Sequence, residues 1–273
     1  MNILHPTDFS QTASHALAFA RTLQEVTAGT LHVVHVQENY ELPDGLRIPK
    51  TDRRYQQFED HLQSLRDQDV QMRQDMLRAT RGPNATSELI WGQPVRELLN
   101  LQDRFDIAVL GTDGYSRIDT FFLGSVASSL LRRATKPIVF VRNKPASHIL
   151  RRIAVAVDFT KTSEHALEFA KQLNLPLTLI HVITHSRDSA DPLYVQEASL
   201  RLREMAGETD VHIMLNRGNP IVRVPELAVE TGAGLLVLGM RHARQGLGMR
   251  LGARVDGIVR SAGMPVMAMP LRE

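Results

Sequence analysis

The segment DFSQTASHALAFA at residues 8–20 returns as DFTKTSEHALEFA at residues 158–170, and this repetition decides the fold. Eight of the thirteen positions are identical, and the two segments lie 150 residues apart. A chain of 273 residues that repeats itself in this way contains two copies of one unit, each near the commonest domain size.

Three later segments also return, at offsets that shrink from 146 to 128 residues. The second copy has therefore lost residues between matched elements. Most of the loss falls where the first copy carries a charged insert, from Glu38 to about Asp75. The matched pairs are LHVVHV (31–36) with LTLIHV (177–182), AVLG (108–111) with LVLG (236–239), and KPIVFV (136–141) with MPVMAM (264–269).

Short runs of Val, Ile and Leu alternate along each copy with longer segments whose apolar residues lie three and four apart. This pattern predicts a chain of βαβ units. The apolar runs do not alternate with polar residues, as is typical of parallel strands buried on both faces. We predict strands near 2–5, 30–36, 86–91, 106–111 and 137–142, helices near 11–27, 52–79, 93–101 and 124–134, and second-copy strands near 151–157, 176–182, 211–216, 234–239 and 265–269.

The predicted fold class is α/β, with two tandem, open, doubly wound, five-stranded parallel-sheet domains of Rossmann-like form. One strand order open to such a sheet is 3-2-1-4-5, and we adopt it. The domains are predicted to span residues 1–143 and 149–273, joined by the polar, proline-bearing linker at 142–148. Strand five of each copy is an apolar edge strand that needs covering, so we expect 137–142 and 265–269 to pair within the chain.

Composition excludes several classes of function. The net charge is only +2, with 32 basic and 30 acidic residues, and no basic tract with interleaved aromatics indicates nucleic acid. The absence of cysteine excludes disulfides, zinc–thiolate sites and cysteine nucleophiles. No apolar run is long enough to span a membrane, and no signal peptide precedes the first strand. We expect a cytoplasmic protein.

The candidate ligand site begins with a glycine-bearing loop that follows the fourth strand. It has the spacing G-x2-G-x9-G-S, with glycines at 111, 114 and 124 and Ser125 at the start of a helix. Glycines let the backbone approach a ligand, and the amides of a helix N-terminus attract anions. In the adopted strand order, Asp8 at the end of strand one faces Gly111 across the switch point where ligands bind.

These features resemble the universal stress protein family. The resemblance covers nearly all of both halves and depends on PTDFS at 6–10, His35-Val36 and the glycine loop. In nucleotide-binding members the strand-one ending lies beside the adenosine, the strand-two ending meets adenine and the loop wraps the phosphates. The resemblance implies an ATP site, with Mg²⁺, built from Pro6, Thr7, Asp8, Val36, Gly111, Gly114, Gly124, Ser125 and Val126.

The second copy departs from this pattern where phosphate would lie. His242 replaces the second glycine, Ala253 replaces the serine and Val157 replaces the threonine. We expect the second site to bind ATP weakly or not at all. Two alternatives remain for it, an apolar ligand such as a lipid or metabolite, and another anion held by a cationic loop of Arg241, His242, Arg244 and Arg250.

Each site residue also has an ordinary structural interpretation. Gly111 and Gly114 suit a turn after a strand, and Asp8 suits a helix cap. Ser10 and Thr160 are predicted helix N-caps. His32 and His35 point to opposite faces of one strand, and no histidine pair has metal-ligand spacing in a helix.

Three hypotheses of function follow. The first is a stress-response sensor or regulatory module in which ATP orders the 112–124 loop and changes a surface that a regulatory protein partner recognises. The second is an enzyme that slowly hydrolyses ATP or transfers its adenylyl group, although no nucleophile elbow, Walker lysine or carboxylate pair is present. The third is a scaffold with a vestigial nucleotide site. A homodimer is possible in each case.

Overall fold

The computed structural model of the chain describes residues 1–38, 53–112, 123–145, 150–184, 192–207, 211–245, 248–251 and 253–271. The first half contains β1 (Asn2–Pro6), α1 (Gln11–Thr27), β2 (Thr30–Gln37), α2 (Arg53–Arg81), β3 (Ala85–Trp91), α3 (Pro94–Leu101), a 3-10 turn (Gln102–Arg104), β4 (Ile107–Gly111), α4 (Ser125–Arg133) and β5 (Ile138–Val141). The second half contains β6 (Ile153–Ala156), α5 (Lys161–Gln172), β7 (Leu177–Ile183), α6 (Pro192–Ala206), β8 (Val211–Arg217), α7 (Pro220–Glu230), β9 (Leu235–Met240), β10 (His242–Gln245), β11 (Gly248–Leu251), α8 (Ala253–Ser261) and β12 (Val266–Pro270).

Ten of these strands form one sheet in the order β3-β2-β1-β4-β5-β12-β9-β6-β7-β8. Each half contributes five parallel strands in the predicted order 3-2-1-4-5, so the predicted fold class is confirmed. The two halves meet where β12 pairs antiparallel with β5, with Met267 opposite Val139. The expected pairing of the two fifth strands therefore occurs within the chain.

Helices cover both faces of the sheet. One face packs on α1, α2, α5 and α6, and the other packs on α3, α4, α7 and α8. The strands are accordingly apolar on both sides, and all seven residues of β7 are buried. Helix α1 lies close to the sheet because its small residues Ala13, Ala16 and Ala20 form one buried stripe.

The segment 242–251 was interpreted as a loop from the sequence, and that interpretation is wrong. Residues His242–Gln245 and Gly248–Leu251 form an antiparallel hairpin, with His242 opposite Leu251. Its second strand, β11, lies against α4 of the first half. This hairpin occupies the place in the second half that the glycine loop occupies in the first. It packs on α4, the helix that begins where the first half's glycine loop ends.

The predicted domain limits, 1–143 and 149–273, stay a prediction. The last strand of the first half ends at Val141, and the first strand of the second begins at Ile153. Part of the predicted linker at 142–148 lies outside the described residues, as does much of the insert from Glu38.

Candidate functional site

A crevice of about 240 Å³ opens at the carboxyl ends of β1 and β4, the switch point of the first half's sheet. Eight of the nine residues that the sequence suggested line it together. The ninth, Gly114, lies outside the described residues. The eight are Pro6, Thr7, Asp8, Val36, Gly111, Gly124, Ser125 and Val126.

The floor of the crevice is the short loop that follows β1. The Thr7 hydroxyl accepts a hydrogen bond from the Phe9 amide at 3.0 Å, and Asp8 Oδ1 accepts one from the Ser10 amide at 2.9 Å. Phe9 has a φ of 65°, a left-handed conformation that is uncommon for a bulky residue. These two side-chain acceptors hold the strained turn in place and leave the Asp8 carboxylate exposed at the crevice.

His35 fixes the same turn from the neighbouring strand. Its Nδ1 donates to the Thr7 carbonyl at 2.7 Å, which leaves Nε2 as the acceptor for Arg73 Nη1 at 3.2 Å. The imidazole also packs on the Phe9 ring, with centroids 4.7 Å apart. His35 is therefore a positioning residue for the floor of the crevice, and it points to the opposite face from His32, which stacks on Phe105.

The opposite wall of the crevice is the N-terminus of α4. Gly124 is the N-cap residue and provides no side-chain cap, and its own amide donates to the Thr112 carbonyl at 2.7 Å. The first intrahelical bond runs from the Ser128 amide to the Gly124 carbonyl at 2.8 Å. The amides of Ser125, Val126 and Ala127 consequently have no intrahelical partner, and all three residues line the crevice. This arrangement suits an anion.

Gly111 has a packing role in addition to its place in the crevice. A Cβ at this position would lie 2.8 Å from Thr12 backbone carbon and 2.9 Å from the Ala13 amide nitrogen, at the start of α1. Gly239 meets Thr162 and Ser163 of α5 in the same way. The second half keeps this glycine although His242 and Ala253 replace the second glycine and the serine of the first half's loop. Close packing of the fourth strand on the first helix is therefore enough to explain why glycine is needed here.

The two predicted helix caps have different outcomes. Ser10 caps α1, since its hydroxyl accepts from the Ala13 amide at 3.2 Å. Thr160 occupies the N-cap position of α5, but the predicted cap there is wrong, because its hydroxyl donates instead to Asp158 Oδ1 at 2.6 Å. The Asp8 carboxylate bonds the loop amide of Ser10 and does not cap the helix itself.

Sequence reasoning missed the contribution of α3. Pro94 and Leu98 of α3 line the crevice, as does Thr112, which directly follows β4. A signal was present, because Gly92-Gln93-Pro94 returns as Gly218-Asn219-Pro220. Both glycines have large positive φ, 146° and 138°, and both prolines open a helix. This repeated Gly-x-Pro turn places the start of the third helix beside the ligand crevice in each half.

A second crevice, of about 200 Å³, occupies the equivalent place in the second half, at the ends of β6 and β9. The turn after β6 repeats the first, with Phe159 at a φ of 61° and His181 Nδ1 donating to the Val157 carbonyl at 2.7 Å. The wall at α8 differs, because Arg254 stands where the first half has Val126. The side chains of 242–251 lie outside the described residues, so the proposed cationic loop is untested except that Arg241 is exposed.

His5 in β1 is the most strongly perturbed ionisable group near the first crevice. It is fully buried, and its Nδ1 donates to the Val109 carbonyl at 2.8 Å. Burial lowers the pKa of His5 to about 4, so the imidazole is neutral at pH 7. Val155 takes its place in the second half.

Within the described ranges, no cluster of three His, Asp or Glu side chains could hold a metal ion. None of the helices in the described parts of the chain is long and apolar enough to cross a membrane.

Comparison with known proteins adds the following. A model of the universal stress protein family matches residues 1–142 and again residues 150–270. A universal stress protein of Mycobacterium tuberculosis is 27% identical over 221 residues, covering 72% of this chain and 73% of its own length. One of Methanocaldococcus jannaschii is 23% identical over 153 residues, covering 52% of this chain and 94% of its own. The crystal structure of a universal stress protein from Archaeoglobus fulgidus aligns with a TM-score of 0.67 at 23% identity, covering 98% of both chains.

Proposed function

The chain belongs to the universal stress protein family, as a tandem member, and from that premise we propose that its first half binds ATP with Mg²⁺ and acts as a regulatory nucleotide sensor. The observation that carries the proposal is the uncapped start of α4. Three backbone amides without intrahelical partners face one crevice with the exposed Asp8 carboxylate across from them.

The chemistry of the two walls suits the two ends of a nucleotide. The α4 amides and the positive end of the helix dipole favour the phosphates. The end of β2 at Val36 and the apolar side chains of Leu98 and Leu110 form a surface on which a planar base packs. Asp8, exposed beside the strained turn, offers carboxylate oxygens to ribose hydroxyls.

The proposed Mg²⁺ needs few protein ligands. This ion keeps several waters and is commonly held by substrate phosphates and one or two oxygen ligands. The Ser125 hydroxyl at the start of α4 is suitably placed at the phosphate end of the crevice. The ion would neutralise phosphate charge there, while the chain's own amides orient the phosphate oxygens.

The regulatory part of the proposal depends on the segment that connects the two walls. Residues 113–122 link Thr112, whose carbonyl accepts the Gly124 amide, to the start of α4. A phosphate held at α4 would lie beside Gly124, whose amide donates to the Thr112 carbonyl, so ATP occupancy would be reported to a protein partner from this point of the chain. Any hydrolysis is secondary to this role.

The test replaces Ser125 by proline in the full chain. Proline is well tolerated at the first position of a helix, and Gly124 has a ψ of 158°, which a residue before proline prefers. Ser125→Pro removes one amide donor and the hydroxyl, while Ser125→Ala removes only the hydroxyl. Calorimetric titration with Mg-ATP is expected to show at least a tenfold loss for the proline variant and a smaller loss for alanine.

Ala253→Pro, at the equivalent position of the second half, is the matched control and should leave ATP affinity unchanged. Unaltered thermal unfolding of each variant would show that the fold is intact. No ATP binding by the parent chain would support the vestigial scaffold instead. Equal binding by parent and Ser125→Pro would mean that the phosphates do not lie at α4.

A further inference from the structure

The crevice of the second half contains a histidine nitrogen whose counterpart in the first half is paired. His181 is only 6% exposed and lines this crevice, and its Nε2 has no hydrogen-bond partner among the described residues. Its Nδ1 donates to the Val157 carbonyl at 2.7 Å, so Nε2 carries the lone pair. Burial lowers the pKa of His181, which keeps the ring neutral and Nε2 an acceptor at pH 7.

The equivalent nitrogen in the first half has a partner. Arg73 Nη1 lies 3.2 Å from His35 Nε2. In the second half, the arginine of the corresponding helix, Arg201, lies over the Phe159 ring, 4.3 Å from its centroid. A buried acceptor without a donor costs free energy, and because His181 lines the crevice, a ligand's hydroxyl or N–H that reached Nε2 would bind favourably.

The other end of the crevice is cationic. Arg254 lies in the first turn of α8 and lines the crevice, where the first half has the uncharged Val126. A guanidinium at a helix N-terminus adds a full positive charge to the amides already present there, and it binds a carboxylate through paired hydrogen bonds.

The wall between these two ends is largely aliphatic. Tyr194 of α6 and Thr184 after β7 also line the crevice, as does the exposed Asp158, so an anionic group is favoured at the Arg254 end. The second half also lacks the phosphate-site serine, which is Ala253 here. A chain-like molecule fits this surface better than a row of phosphates. The aliphatic members of the wall are Ile180, Val182, Val224, Leu238, Val255 and Ile258.

We propose that the second crevice binds a medium-chain organic carboxylate that carries a hydrogen-bond donor at its far end, with the carboxylate on Arg254, the aliphatic chain on the apolar wall and the donor on His181 Nε2. The inference depends on the second half alone, so it stands or fails separately from nucleotide binding in the first half. It also explains why the second half keeps a crevice although His242 and Ala253 replace the glycine and serine expected to bind phosphate.

The experiment uses ω-hydroxyoctanoate, octanoate and octanol as probes with the full chain, followed by calorimetry and by nitrogen NMR of labelled histidine. The hydroxy acid is expected to bind most tightly, because it alone satisfies both ends. Its binding should shift the His181 Nε2 resonance, while octanoate should not. Saturable binding that does not distinguish the three probes would overturn the proposal, as would the absence of binding.

Arg254→Val places the first half's residue at this position. Since Arg254 is exposed, the fold should tolerate the change, and affinity for the hydroxy acid is expected to fall at least tenfold. Arg151→Val, an exposed arginine before β6 and away from the crevice, is the matched control and should have no effect. If Mg-ATP displaced the hydroxy acid competitively in Ser125→Pro, the second crevice would be a nucleotide site and the proposal would be wrong.

Discussion

The two crevices of this chain share their floor and differ in their walls. In both halves a phenylalanine with left-handed backbone and a strand-two histidine build the turn after the first strand, through Phe9 with His35 and Phe159 with His181. At the helix that opens the far wall, Ser125 and Val126 are replaced by Ala253 and Arg254. The two turns therefore have the same construction, whereas the two helix starts differ in charge and in the presence of a hydroxyl.

The comparison separates two reasons for a recurring residue. Gly111 and Gly239 recur because strand four must approach the first helix. Ser125 does not recur, since Ala253 takes its place, although the preceding Gly124 recurs as Gly252. For these two positions the comparison distinguishes a packing requirement, which both halves share, from a wall residue that only the first half has.

The largest expected effect concerns His5, which the second half replaces by Val155. In the folded chain the pKa of His5 is about 4 instead of 6.5, so the unfolded state takes up the proton first as pH falls. The free energy of unfolding should fall by about 3 kcal/mol between pH 6.5 and 4 through this group alone. Urea unfolding across that range should show this dependence.

His5→Val removes the titrating group and is expected to flatten the pH dependence by most of that amount, at some cost in stability at pH 7.5. His181, whose pKa is also lowered, contributes its own acid sensitivity in both proteins. Identical pH profiles for parent and variant would show that His5 is not the buried neutral group that the geometry indicates.

The next effect is expected at the shared glycines. Gly111→Ala and Gly239→Ala each push a Cβ into helix backbone that cannot move aside easily, so each should destabilise by about 2–3 kcal/mol. Chemical unfolding measures both. Gly263→Ala is the control, because its nearest neighbour would be Asn143 Nδ2 at 3.8 Å. A harmless Gly239→Ala would return Gly111 to a purely ligand-based explanation.

A smaller effect separates the first helices of the two halves. Ser10→Ala removes the hydroxyl that accepts the Ala13 amide and should cost about 1 kcal/mol in unfolding free energy. Thr160→Ala removes a hydroxyl that bonds Asp158 in the loop, so its cost should be only a few tenths. Equal costs would contradict the assignment of a cap to one helix alone.

In the third helices, α3 and α7, it is the second half that has the side-chain cap. The expected difference in unfolding free energy is the smallest of those considered. Asn219 caps α7 by accepting the Ile221 amide at 3.0 Å, whereas Gln93 at the same position of α3 makes no side-chain cap. Asn219→Ala should lower the free energy of unfolding by about 0.5 to 1 kcal/mol, and Gln93→Ala should leave it unchanged. The midpoint of urea unfolding distinguishes them, and a loss in Gln93→Ala would point to an unrecognised role for that amide.

The sequence was a good guide wherever one residue type has one physical use. Runs of Val, Ile and Leu predicted the ten strands of the main sheet to within about two residues. The repeat of a proline-led fifth strand predicted that the two fifth strands pair, and the structure adds that they pair antiparallel. Residues Asp8 and Gly111 were placed together because the strand order brings two carboxyl ends to one edge.

The sequence was a poor guide where side chains have several uses. The polar segment at 242–245 has no β-type pattern, and its hairpin depends on packing against α4, a contact between the two halves. The side-chain cap predicted at Thr160 is wrong because a hydroxyl can bond either an amide or a neighbouring carboxylate. The unpartnered nitrogen of His181 is a property of the folded crevice alone.

The antiparallel pairing of β5 with β12 removes a constraint that a symmetric dimer would impose. When two identical subunits meet through such a seam, every substitution appears in both. Here the seam lies inside one chain, so a change to one half leaves the other as it was. The walls of the two crevices can therefore differ in sequence, while the ten-stranded sheet still requires both halves to keep the same strand order.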